Sequence, residues 1–149
     1  MNKEETLTHL RSAKKAHIAW VQRARALIEG FPIEKEQVPV ECTKCKFGLW
    51  FYAEGKQLGL MPNMDCLKDI ERLHYELHDV YMKIFKIYFN DEERSFFAKL
   101  FGTRKKVSSA DHESAKEYYH QLKGISDKLI LEIERLERRL SALQEGKFV

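Results

Sequence analysis

Residues 63–89, NMDCLKDIERLHYELHDVYMKIFKIYF, contain no proline and no glycine. Their apolar side chains fall at Leu67, Ile70, Leu73 (or His74), Leu77, Tyr81, Ile84 and Tyr88. Steps of three and four place these on one face of a helix. The spacing predicts a helix opened by Asn63 as N-cap after Pro62 and running to about Phe89.

The same period appears upstream in Leu10, Ala13, His17, Trp20, Ala24 and Leu27, a helix of about seven turns that Gly30 ends. Downstream, residues 91–101 read as a short helix with Phe96, Phe97, Leu100 and Phe101 turned inward, stopped by Gly102. A basic loop leads to Ser108 or Ser109, either able to cap a last helix reaching about Gln144, with Gly124 tolerated at some cost. That helix carries the heptad stripe Leu122, Ser126, Leu129, Ile133, Leu136, Leu140 and Leu143, which either closes a bundle or forms a partly intermolecular seam. All three prolines and four of the seven glycines lie between 30 and 62. This segment is too long for an ordinary helix connection and is expected to carry function. The fold class is all-α, an antiparallel, four-helix-bundle-like arrangement with an irregular Cys-bearing segment between the first two long helices.

The chain has 149 residues, with 26 Lys+Arg against 23 Asp+Glu, and reads as one domain. No run approaches the ~18 apolar residues of a membrane span, and the start, Met-Asn-Lys-Glu-Glu, is not a signal peptide. Cytoplasmic placement follows as the expectation, with the thiols of Cys42, Cys45 and Cys66 reduced. A membrane protein and a secreted disulfide knot are excluded. The basic runs are short and no nucleic-acid reading motif is visible, so nucleic acid is not an expected partner.

His74 and His78 stand at i and i+4, the spacing that aims two imidazoles the same way. The pair is not a zincin site, because the Glu that such a site needs after its first His is Tyr75 here. His17 sits inside the apolar stripe of the first helix, where an imidazole needs a partner. Cys42-Thr-Lys-Cys45 offers thiolates. Residue types alone leave two zinc sets open: three His with one Cys, or Cys42 and Cys45 with His74 and His78.

The string Cys45-Lys-Phe-Gly-Leu-Trp50, preceded by His17-Ile-Ala-Trp20 and followed by Leu73-His74-Tyr-Glu-Leu-His78, resembles the chemoreceptor zinc-binding (CZB) domain. That family's signature is a His, a Cys-x-Phe/Leu-Gly-x-Trp box and a His-x-x-x-His pair. The motifs cover residues of about 9–90, with helices over 91–145 completing a single domain of residues 1–149. The resemblance implies a Zn2+ cofactor held by His17, Cys45, His74 and His78 in a cytosolic regulatory bundle, commonly a homodimer. It also implies a place in chemotaxis or cyclic-di-GMP signalling, as a sensor of zinc, or of oxidants such as hypochlorous acid through the ligand Cys. No receptor signalling hairpin or cyclase domain is visible, so the chain reads as a stand-alone member or a fragment with an unnamed signalling partner.

Four protein ligands would close the site, leaving no open position for catalysis, so an enzyme is not expected. Cys42 lies outside the family box and is a candidate redox partner for Cys45. Glu71 and Asp79 are candidates to orient an imidazole from behind. Phe47 and Trp50 are expected to pack the Cys45 loop and Gly48 to permit a close approach. His9 and His112 are expected to face solvent, and Cys66 to be partly buried. Two alternatives remain: a di-iron bundle using Glu71/His74 and Glu117/His120, and a metal-free coiled-coil adaptor acting through the last helix.

Overall fold

The computed structural model describes residues 1–33, 41–89 and 107–148. Within these lie helices α1 (Lys3–Ile28), α2 (Lys46–Ala53), α3 (Cys66–Tyr88) and α4 (Ser109–Ala142), with 3-10 segments at Gly55–Leu60 and Glu145–Lys147. Among the described residues there is no strand, and no helix is long and apolar enough to cross a membrane. The short helix expected over 91–101 lies outside the described residues.

Helix α1 opens with a capping box: Asn2 Oδ1 accepts from the Glu5 N–H at 2.8 Å, and the Glu5 carboxylate accepts from the Asn2 N–H at 3.3 Å. It closes at Gly30, whose φ of 93° is the left-handed conformation that glycine adopts without a Cβ clash. Helix α4 is capped by Ser108, as expected, with Oγ accepting from the Asp111 N–H at 3.1 Å. Helix α3 differs from expectation. It starts at Cys66, and Asn63 is not its cap but a left-handed turn residue at φ 64°. The Arg139 guanidinium on α4 donates to the Asn63 carbonyl and to Asp65 Oδ1, fixing this turn from across the bundle.

Helix α4 runs antiparallel to both α1 and α3. Lys3 at the start of α1 donates to the carbonyls of Ser141 and Leu143 at the end of α4, and Lys14 pairs with Glu137 at 2.8 Å. Arg139 meets the beginning of α3, whereas His112 lies 3.2 Å from the Tyr88 hydroxyl at its end. Helices α1 and α3 therefore run in the same direction. The chain must return the length of α1, about 39 Å, before α3 can begin, which accounts for the long segment from 29 to 65. That segment contains the unanticipated helix α2, which buries Phe47, Trp50 and Phe51 against α1 and the 3-10 turn.

The α4 stripe settles as an internal seam. Leu122, Leu129, Ile133, Leu136 and Leu140 are fully buried within one chain, Ser126 nearly so, and Leu143 is partly buried. The intermolecular alternative has no apolar stripe left to use on this face.

Candidate metal centre

Three elements converge where α1 and α3 face each other through rings. The three-four spacing of α1 turns His17 inward between Ala13 and Trp20, and all three are buried. One turn apart on α3, His74 and His78 project from the same face. Cys45 is the N-cap of α2, and its Sγ accepts from the Gly48 N–H at 3.2 Å. Its backbone turn is set by Cys42, whose carbonyl oxygen lies 3.4 Å from Cys45 Sγ. That carbonyl also presses against the Cα of Gly48 so closely that any Cβ there would lie 1.8 Å from the oxygen.

The donor atoms of His17, Cys45, His74 and His78 all lie within 4.8 Å of one another. Cys45 Sγ is 3.2 Å from His74 Nε2. Ring centroids are 4.7 Å apart for His74 and His78 and 5.1 Å apart for His17 and His74. None of the four residues is more than 6% exposed. Trp20 stands 4.4 Å from His78, and Phe47 stands 4.9 Å from His74, walling the cluster with aromatic surface.

Burial governs the protonation of this cluster. It lowers His17 to about 4, with His78 adding like-charge repulsion, and lowers His74 to about 2. Burial also pushes the Cys45 thiol up, opposed by the N–H groups of Gly48 and Phe47 at the start of α2. Neutral imidazoles are the metal-binding form. Nδ1 of His74 is buried without a hydrogen-bond partner among the described residues, so the cluster is not held by internal polar pairing alone.

A set of three imidazole nitrogens and one thiolate fits zinc. With Zn–N of about 2.0–2.1 Å and Zn–S of about 2.3 Å, the edges of a tetrahedral site measure about 3.3–3.6 Å. The observed spread reaches this by side-chain adjustments of about an ångström. The cluster can hold a metal ion.

All four residues implied by the family resemblance are brought together, and Cys42 is not among them. The set of two Cys and two His is therefore not the one assembled. Glu71 and Asp79, expected behind the imidazoles, instead pair with lysines: Glu71 with Lys56 at 3.0 Å and Asp79 with Lys83 at 3.3 Å. Asp79 is exposed, a 100° step beyond His78, whereas half-buried Glu71, one turn before His74, is drawn to Lys56 on the Gly55–Leu60 segment. The di-iron arrangement is not formed, because Glu117 and His120 are exposed on α4 and take no part in the cluster.

Phe47 and Trp50 pack as expected, and Trp50 stacks on His9 with centroids 5.0 Å apart. His9 is exposed but held by that ring, whereas His112 is half-buried beside Tyr88 and Cys66 is fully buried. Helix α2 escaped sequence reading, although Phe47, Trp50 and Phe51 at i, i+3 and i+4 were a signal for it.

Residues 17–85 match the chemoreceptor zinc-binding domain family. No curated protein and no solved structure shows a significant match to the chain.

Proposed function

We propose, from the match of residues 17–85 to the chemoreceptor zinc-binding domain family, that His17, Cys45, His74 and His78 hold one Zn2+ ion in a regulatory, non-catalytic site. The observation that carries this reading is the meeting of four buried donor atoms from three helical elements within 4.8 Å. Four protein donors saturate a tetrahedral ion, so no position is left for substrate or a reactive water. Binding energy then acts on structure, tying α1, the start of α2 and the middle of α3 to one point.

We read the whole chain as one such domain in the cytoplasm, reporting zinc availability or oxidant exposure to a signalling partner in chemotaxis or cyclic-di-GMP control. Support comes from the family's description and from the chemistry of Cys45. An oxidant of the hypohalous acid class converts the thiolate to a sulfenic acid, releasing halide; condensation with the Cys42 thiol then forms a disulfide and releases water. Either step removes the sulfur donor from the site. The homodimer contact belongs away from the α4 stripe, which is already buried within one chain.

Elemental analysis of the purified protein beside His17→Ala and Cys42→Ala tests this reading. One zinc per chain is expected, lost in His17→Ala and retained in Cys42→Ala. The reverse pattern would establish a site of two Cys and two His, and no zinc but two irons per chain would move the protein to the carboxylate-bundle class.

A further inference from the structure

We propose that Cys42 is a relay ligand, the thiolate that a divalent metal ion passes on its way into the buried cluster and again on its way out. This rests on the reading that His17, Cys45, His74 and His78 hold the ion. The four are buried, so an ion needs a path to reach them. A cavity of about 320 Å³ opens beside them, lined by Glu41, Cys42, Tyr75, His78, Asp79 and Met82. Of the four cluster residues it is His78 that lines this cavity, so the cavity joins solvent to one corner of the site.

The donors along the cavity are graded. Glu41 and Asp79 are exposed, their carboxylates paired with the exposed lysines Lys44 and Lys83 at 3.0 and 3.3 Å. Such water-screened pairs exchange at little cost, leaving the carboxylates free to attract a dication. Cys42 is half-buried and His78 is buried, so burial grades from the carboxylates through Cys42 to the cluster.

Cys42 is held in this intermediate position by its own backbone. The turn is fixed by the Lys44 N–H donating to the Glu41 carbonyl at 3.1 Å, and the Cys42 carbonyl is seated on Gly48 and faces Cys45 Sγ. A thiolate three residues from Cys45 and lining the same cavity as His78 can share the ion's coordination while its water is being shed. Cys42 loses its proton to solvent on taking the ion and regains one when Cys45 takes over. The net release is the single proton of Cys45.

A relay residue is absent from both the starting and the final coordination. By microscopic reversibility it speeds loading and release by the same factor and leaves Kd unchanged. The test uses the full chain stripped by a chelator and kept reduced, with Co2+ alone and Zn2+ alone as probes. Loading is followed by stopped-flow absorbance, release by transfer to excess small chelator, and Kd by equilibrium competition.

For Cys42→Ala and Cys42→Ser, loading and release are expected to slow together by about tenfold, a barrier change of about 1.4 kcal/mol, with Kd held within about twofold. Unchanged rates in both variants would overturn the relay. A weaker Kd with faster release would also overturn it, by making Cys42 a resident ligand. His17→Ala separates the two readings: if it binds metal as tightly as the parent, the buried site itself is misassigned, whatever the Cys42 variants do.

Discussion

Gly48 has no room for a side chain, because a Cβ there would lie 1.8 Å from the Cys42 carbonyl oxygen. Backbone rather than a flexible side chain blocks the space, so Gly48→Ala must push the Cys42 turn off α2 and carry Cys45 with it. A stability loss of about 1–3 kcal/mol is expected, accompanied by loss of bound metal. Denaturant melts and metal content check both, and parent-like values would show that the turn yields freely. His17 makes a second residue-scale prediction. Its pKa falls from 6.5 to about 4 on folding, chiefly through burial, so below pH 6.5 the unfolded chain binds a proton that the folded chain refuses. The metal-free protein therefore loses stability as pH drops from 6.5 towards 4, by up to about 1.4 kcal/mol per pH unit for this group. Equal denaturation midpoints at pH 7 and pH 5 would contradict this.

At the scale of elements, α4 is long enough to show where helix propensity acts alone. Gly124 is exposed on α4, and a Cβ there would meet no atom within 4 Å. Gly124→Ala removes backbone freedom from the unfolded chain without crowding the folded one, so a gain of about 0.5–1 kcal/mol is expected; a loss would mean that this surface contacts something in solution. The opposite holds for Ile133, fully buried in the α4 seam, where Ile133→Ala should cost about 2–5 kcal/mol by leaving a cavity. The long helices were legible because their apolar stripes persist over many turns, a signal that chance rarely sustains. Helix α2 was not, because two turns give only three inward positions, and neighbouring prolines and glycines outweighed Phe47, Trp50 and Phe51. Asn63 was misplaced for a related reason. Asparagine suits both an N-cap and a left-handed turn, and only the Arg139 contact, 76 residues away in sequence, decides between them. The four cluster residues were legible through their family motif, whereas the positions of Glu71 and Asp79 depended on which flank of α3 faces α1, which spacing alone does not fix.

For the whole molecule, the cluster joins α1, α2 and α3 but takes no donor from α4, and α4 is nevertheless the helix that packs along both α1 and α3. Its seam of leucines and Ile133 includes none of the cluster residues, so the chelated protein should stay folded, unlike small zinc domains whose core is the ion itself. Metal then adds stability by mass action, about 2.7 kcal/mol at a free concentration one hundred times Kd, or roughly 5–10 °C in Tm for a domain of this size. Because α4 contacts both metal-bearing long helices, it should unfold with them in one transition. The shift should vanish in His17→Ala, whose melt should be the same with and without zinc. Calorimetric scans of both proteins, chelated and zinc-loaded, make the comparison. A parent Tm that ignores chelation would leave the α4 seam as the main determinant of stability and return the molecule to a metal-independent helical adaptor. A metal-dependent shift confined to one of two separate transitions would instead show that the site stabilises α1 to α3 without engaging α4.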